Sequence, residues 1–296
     1  KQISRCEVML LGKAYPQIAE ILKEMGCTRL LVESTRMTVS TYNSLKGVLK
    51  KIPISTDTTL DTLINTLRSV KNRDEIRSIL EAQLIAESAF RHILKYIKVG
   101  ITEKEIALEL DFYMLRHGGE GLSFETIAVS GANSSMPHGV PSNKKIEKGD
   151  FITMDFGTII NGYHSDMTRT VAVGFATDEM KNVYDTVLKA QQNCLNNLKA
   201  GISCKDGDEF ARSVIRDAGY GQYFTHSTGH GVGVEIHEFP NLSPASDSIL
   251  QVGNIVTVEP GIYIPEKFGV RIEDMALITE NGCRNLTSAP KDLIIL

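Results

Sequence analysis

Apolar residues recur at helical spacing through "YPQIAEILKEM", Tyr15 to Met25, and Gly26 can stop the pattern, so a helix is expected there. "TRLLVES" then reads as a buried strand and "VSTYNSLKGVLKKI" as a second helix. "KIPISTDTTLDTLINTLRSV" gives a strand fragment followed by a helix capped by Thr or Asp. These α/β units are short, and a stretch of about 70 residues makes a thin domain. The first strand comes abruptly and Lys1 is not an initiator Met, so residues 1–71 are expected to be the remnant of a longer α/β amino-terminal domain. Charge density rises at "KNRDEI", and an amphipathic pattern follows from Asp74 to about Ile97, with Ile76, Ile79, Leu80, Ile85, Ala86 and Ala89 near helical spacing. A second domain, 72–296, is expected to open here. Gly100 ends that helix, and "TEKEIALELDFYMLRHGG" forms the next, with Thr102 and Glu105 as a capping box and Gly118 as its stop. The period then changes to that of strands, returns to helical at "TDEMKNVYDTVLKAQQNCLNNLKAG" and "SCKDGDEFARSVIRDAG", and is strand-like again from Val232 onward. Helices, strands, helices, strands is an α+β order.

The doubling has a finer counterpart. "IEKGDFITMDFG" at 146–157 aligns without a gap with "LQVGNIVTVEPG" at 250–261, matching Gly149 with Gly253, Thr153 with Thr257, Asp155 with Glu259 and Gly157 with Gly261. Downstream, Gly162 and Asp166 correspond to Gly269 and Glu273, and each copy has a Met just beyond the acid. The repeat is too long for a solenoid unit and reads as two similar halves facing each other across a site. Asp155, Asp166, Glu259 and Glu273 would then point into one interior, where several like charges cannot all stay ionised without compensation. A cation resolves the conflict. Four hard oxygen donors can hold one or two divalent ions, and a carboxylate can bridge two metals.

Histidine adds to this. "FTHSTGHGVGVEIHE" carries His226, His230 and His237, and Gly229, Gly231 and Gly233 allow close backbone approach around the middle one. One imidazole with four carboxylates suits Mn²⁺, Co²⁺, Fe²⁺ or Zn²⁺ better than Ca²⁺ or Mg²⁺. His138 in "MPHGVPS" stands in an "HGV" like that at 230–232 and reads as a counterpart of His230, freed to act on substrate. Arg169 and Tyr163 lie in the first hairpin outside the expected site, Arg169 reading equally well as a solvated strand charge. Tyr263, after Gly261, is the better candidate to touch the pocket.

Composition narrows the partners. With 42% hydrophobic and 23% charged residues the chain suits a globular protein with a sizeable core. The net charge is −4 and Lys and Arg are scattered, so neither a nucleic acid nor a membrane surface is an expected partner. The five cysteines are odd in number and far apart, which argues against a disulfide framework or thiolate zinc site and fits a reducing cytoplasm. No apolar run approaches the roughly 18 residues of a membrane span.

"MDFG", "HSDMTRT", "STGHGVG", "VEPGIY" and "RIEDM", in this order and spacing, resemble the pita-bread metallopeptidases: aminopeptidase P, prolidase and, more distantly, methionine aminopeptidase and the metal-free creatinase. The match covers Asn72 to Leu296 and implies a pita-bread fold of two pseudo-symmetric α+β halves. It implies two divalent ions, Mn²⁺ foremost, with Asp155 on one, His230 and Glu259 on the other, and Asp166 and Glu273 bridging both. His138 and His237 would face substrate, His226 line the pocket, Arg271 lie close to Glu273, and Glu273 shuttle a proton. The implied activity is hydrolysis of Xaa-Pro bonds at a free amino terminus, by an aminopeptidase P or a prolidase that assembles as a homodimer or higher homo-oligomer. Methionine aminopeptidase, or a non-catalytic peptide-binding protein of the same fold, are the alternatives.

Overall fold

The computed structural model describes residues 7–296, so Lys1 and Cys6 lie outside the described residues. The chain divides into two compact units, Lys1–Leu67 and Arg68–Leu296. In the first, α1 (Ala14–Glu24) precedes β1 (Leu30–Leu31), α2 (Val39–Val48) precedes β2 (Ile54–Ser55), and α3 (Thr59–Ser69) runs to the end of the unit and two residues beyond. Thr38 caps α2 by accepting from the Thr41 N–H, and the Asp57 carboxylate accepts from the Thr59 N–H at the start of α3. The strand expected in "TRLLVES" is shorter and less covered than the sequence suggests. β1 pairs with β2 in parallel over two residues, and Leu30 and Leu31 are only half-buried. With β2 as its one partner among the described residues, β1 lacks the covering layers that bury a strand in a larger parallel sheet.

The second unit begins its regular structure with α4 (Arg73–Tyr96), α5 (Glu103–Arg116) and β3 (Ile127–Ser130). Both helices start with a capping box, Asn72 with Glu75 and Thr102 with Glu105. Each satisfies otherwise orphaned amide donors, a stabilisation of about 1 kcal/mol per cap. Next come β4 (Phe151–Phe156), the ribbon β5 (Ile159–Ile160) and β6 (Tyr163–His164), and β7 (Met167–Ala172). β4 pairs with both β3 and β7 to give the antiparallel order β3-β4-β7. Asn161 and Gly162, at φ +51° and +76°, form the tight turn between β5 and β6, the left-handed pair that a two-residue hairpin needs.

After α6 (Asp178–Asn197) and α7 (Cys204–Asp217) come β8 (Gly229–Gly231), β9 (Glu238–Leu242), β10 (Ile255–Val258), the ribbon β11 (Gly261–Ile264) and β12 (Phe268–Arg271), β13 (Asp274–Ile278) and β14 (Cys283–Asn285). The second sheet has the order β14-β13-β10-β8-β9. Phe90, Ile93, Ile106, Leu110 and Met114 of α4 and α5 pack against Met154, Phe156 and Met167 of the first sheet. Val183, Tyr184, Val187, Ala211 and Ile215 of α6 and α7 pack against Val256, Val258, Ala276 and Ile278 of the second. Each half is thus a helix pair on an antiparallel sheet, its apolar face buried as amphipathic elements require. Among the described residues no helix is long and apolar enough to cross a membrane.

The sequence repeat is a structural repeat. Gly149 and Gly253 have φ of +89° and +91°, and their amides donate to Val173 O (2.7 Å) and Ile278 O (3.0 Å) respectively. In the first copy Asp155 lies opposite Thr168, whereas Met275, the counterpart of Thr168, faces Thr257. The second ladder ends at Val258, two residues before Pro260, which has no N–H to donate.

Candidate active site

Four strand ends deliver four acids. Asp155 is near the end of β4, Asp166 precedes β7, Glu259 follows β10 and Glu273 precedes β13, while His230 is central in β8. Because side chains alternate across a strand, Asp166, Thr168 and Thr170 share one face of their segment. The two copies interlock there: the Glu273 amide donates to Thr168 O (3.1 Å), and the Thr170 hydroxyl donates to Arg271 O (3.0 Å). Gly229 brings β8 close enough to place His230, since a Cβ at that position would lie 1.9 Å from Thr257 O.

His230 Nε2 lies 3.5 Å from Asp166 Oδ2 and 3.4 Å from Glu259 Oε1. Ligand atoms of Asp166, His230 and Glu273 all fall within 4.8 Å of one another. The Thr168 hydroxyl donates to Glu273 Oε2 (2.7 Å) and that of Thr257 to Glu259 Oε1 (3.1 Å). Among the described residues one fixed cation faces the four acids: Arg271 donates to Asp155 Oδ2 (2.6 Å), Thr168 Oγ1 (3.1 Å), Pro137 O (3.1 Å) and the Tyr263 hydroxyl (2.8 Å). One guanidinium cannot balance four carboxylates, three of them buried and that of Glu259 partly so. Burial, and then the neighbouring acids, push Asp166 and Glu273 well above the usual carboxylate range, and burial pushes Glu259 up to about 8.

The donor set fits divalent metal ions. His230 Nδ1 is 3.0 Å from Gly231 O, a pure acceptor, so Nδ1 carries the proton and Nε2 turns a lone pair toward the acids. Lone pairs on Nε2 and on carboxylate oxygens at this distance repel unless a cation or protons lie between them. Asp155 Oδ1 is also buried without a hydrogen-bond partner among the described residues. All five of Asp155, Asp166, His230, Glu259 and Glu273 line one cavity of about 530 Å³.

The other expected site residues divide into two groups. His138 and His237 are exposed on the cavity wall, the His237 ring centroid 4.2 Å from that of His230. His226 and Arg271 also line it, but Tyr263 stands behind them, 5% exposed, with its hydroxyl 2.8 Å from His226 Nε2. With His226 Nδ1 2.8 Å from Ser227 O, the chain runs Arg271 to Tyr263 to His226 to Ser227. Burial and the Arg271 charge hold the His226 pKa down to about 3, so it is a neutral wall residue. Thr168 and Thr257, which clamp the acids, and Phe124, Glu125 and Asn241 on the wall are additions to the sequence reading. The period-two pattern "DMTRT" carried the signal for Thr168.

Arg169 is not a solvated strand charge. It is 1% exposed and donates five hydrogen bonds: to Pro290 O, Thr168 O, Glu273 O, Asp274 Oδ1 and Ala289 O. Tyr163 lies outside the cavity lining and donates to Glu75 Oε1 (2.8 Å).

Residues 77–280 match the model of metallopeptidase family M24. The chain is 40% identical over 282 residues to the Xaa-Pro dipeptidase of Pyrococcus furiosus, covering 95% of this chain and 79% of that one. Among solved structures, the Xaa-Pro dipeptidase from Bacillus anthracis superposes with a TM-score of 0.93 at 45% identity, covering 96% of this chain and 79% of the other. The X-Pro aminopeptidase from Thermotoga maritima superposes with a TM-score of 0.91 at 38% identity, covering 95% and 78%.

Proposed function

This chain belongs to metallopeptidase family M24, and from that membership we propose that it hydrolyses the bond between an amino-terminal residue and proline. The observation that carries the reading is the convergence of four acids and the Nε2 lone pair of His230 on one cavity wall. Divalent metal ions are the family's cofactor. In this proposal Asp155 would hold one, His230 and Glu259 would hold a second, and Asp166 and Glu273 would serve both, with Mn²⁺ foremost and Co²⁺, Zn²⁺ or Fe²⁺ able to substitute. When bound, such ions lower the pKa of water toward neutrality and polarise the scissile carbonyl.

The chain's own residues supply the remaining steps. His138 and His237, both exposed on the wall, donate hydrogen bonds to the oxyanion that develops on the scissile carbonyl. The leaving nitrogen of a proline is a tertiary amide nitrogen that must gain a proton to depart. Glu273 takes the proton that the attacking water gives up and returns it to that nitrogen. Thr168 keeps its Oε2 oriented through a 2.7 Å hydrogen bond. Arg271, Tyr263 and His226 brace the wall on which substrate rests. The free thiols Cys27, Cys194, Cys204 and Cys283 support a reducing compartment, the cytoplasm.

The test is hydrolysis of an Xaa-Pro dipeptide, an Xaa-Pro-Yaa tripeptide and a Met-Ala peptide by chelator-stripped protein, with Mn²⁺, Co²⁺ or Zn²⁺ restored separately. Metal-dependent cleavage at proline is expected, and the preference between the first two substrates separates a dipeptidase from an aminopeptidase P. Release of Met alone would make it a methionine aminopeptidase. No turnover with metal bound would leave a peptide-binding protein.

A further inference from the structure

On the far side of the histidine loop from the cavity lies a second charged cluster, which the hydrolytic reading does not use. Glu238 opens β9 and its side chain is 4% exposed. Its carboxylate accepts from Arg68 Nε (3.1 Å) and an Arg68 terminal nitrogen (2.6 Å), from Lys71 Nζ (3.0 Å) and from the Glu235 amide (3.1 Å). Lys71 is itself buried, its side chain 1% exposed. A buried carboxylate and ammonium cost desolvation that their attraction only partly returns, so the pair is weak grounds for stability and needs another account.

The geometry supplies one. Residues 68–71 are anchored to the sheet: the Lys71 amide donates to Gly253 O (2.9 Å), and Asn254 Nδ2 donates to Ser69 O (3.0 Å). The loop from Val232 to His237 folds around the Glu238 carboxylate, and a Cβ at Gly233 would lie 2.3 Å from its Oε2. Gly233 is held from both sides, its amide donating to Glu235 O (3.1 Å) and its carbonyl accepting from the His164 amide (2.9 Å). Along the strand, His237, Phe239 and Asn241 are exposed while Glu238, Pro240 and Leu242 are buried. Successive side chains point to opposite faces, so Glu238 grips the back of the segment that shows His237 and Asn241 to the cavity.

We propose that Glu238, gripped by Arg68 and Lys71, is a positioning residue that fixes the orientation of the His237 ring in the cavity; its kinetic consequence rests on the substrate-facing role of His237 proposed above. A ring that must donate to an oxyanion tolerates little misplacement, and an error of about 1 Å costs on the order of 100-fold in rate. The positioning group has to be ionic because two cations converge on it from a segment anchored elsewhere in the sheet.

The experiment compares Glu238→Gln with Lys71→Met/Glu238→Gln, in which the buried cation leaves with its partner and the fold is kept. Both are also made in a His237→Ala background. Metal content, kcat and KM on an Xaa-Pro dipeptide are measured well below each variant's Tm, and ring signals of His237 and His138 are followed by nitrogen-15 NMR of histidine-labelled protein. Expected are a kcat lowered roughly 10- to 100-fold, unchanged KM and metal content, no further loss in the His237→Ala background, and a displaced His237 signal with that of His138 unmoved. Full kcat in the folded double variant, losses that multiply with His237→Ala, or an unmoved His237 signal would overturn the assignment. The ring signals need no turnover. If the wild-type chain cleaves no Xaa-Pro bond, they alone decide the positioning, and only the substrate reading falls.

Discussion

Replacing Arg169 by methionine should unfold more of this protein's margin than any change at an exposed charge. The side chain is 1% exposed, and its removal takes away the Oδ1 partner of Asp274, itself fully buried. Asp274 keeps Lys291 Nζ (2.6 Å), Gln191 (2.8 Å) and Asn285 (2.7 Å), so its charge is not wholly uncompensated. Pro290 O, Ala289 O and Glu273 O lose the Arg169 donors. Breaking a buried pair from one side costs about 3–5 kcal/mol, and each orphaned acceptor adds about 1 kcal/mol before water enters. The three surviving partners of Asp274 remove most of the first cost, so the three orphaned carbonyls dominate and the expected loss is about 3–4 kcal/mol, a large part of a typical margin of about 5–15 kcal/mol. The control is Arg77→Met, whose pair with Asp74 is 69% and 85% exposed and should cost no more than about 0.5 kcal/mol. The assay is urea denaturation of metal-free protein, so that ligand binding does not mask the change. Circular dichroism is the probe, since the chain has no Trp. A midpoint shift worth less than about 1 kcal/mol, with m unchanged, would show that the Arg169 network adds little and refute the reasoning.

The acid cluster gives metal-free protein a distinctive pH response. Asp166, Glu259 and Glu273 have raised folded pKa values, so the folded state holds more protons than the unfolded one; the contribution of Glu259 is fully present below its unfolded value and is lost as pH rises from about 4.5 through about 8, and Asp166 and Glu273 act in the same direction. Tm measured between pH 5 and 9 should fall without metal and stay nearly level with Mn²⁺, and metal uptake at pH 7 should release protons; a Tm that rises across this range in metal-free protein would contradict the assignment. Asp155→Asn, Asp166→Asn and His230→Ala should each lower bound metal and abolish turnover, whereas His138→Ala should keep metal and lose kcat; a metal-depleted His138→Ala protein would count against its role. Gly229→Ala, whose Cβ would meet Thr257 O at 1.9 Å, should cost about 1–3 kcal/mol by denaturation and weaken metal binding, and a variant of wild-type stability would show that β8 can shift freely.

The sequence was most readable where a local rule decides the outcome. Thr102 with Glu105 announces the start of α5 because both partners of a capping box lie within one turn. The four acids were legible because the hairpin occurs twice, so each copy corroborates the other. What escaped is decided by distant chain. Arg169 looks like any strand charge until Asp274, 105 residues on, is brought against it. Glu238 meets Lys71 across 167 positions, and nothing local marks either as buried. Tyr263 was expected to touch the pocket but stands behind its wall, because the bonds that turn its hydroxyl toward Arg271 and His226 are tertiary. β1 failed for the opposite reason: its apolar residues are local, but the layers that would bury them are not.

The matched hairpins also bear on direction. Two acids come from each copy, so in its carboxylates the cavity is nearly two-fold, and a two-fold cleft would receive a peptide equally well in either sense. The imidazoles break that equivalence. His230 turns a lone pair inward among the acids, while His138, in the like-spelled segment of the other half, stands exposed on the wall. A duplicated scaffold with unequal histidines has a head and a tail, and that polarity is what an enzyme needs to tell the amino end of a chain from its carboxyl end.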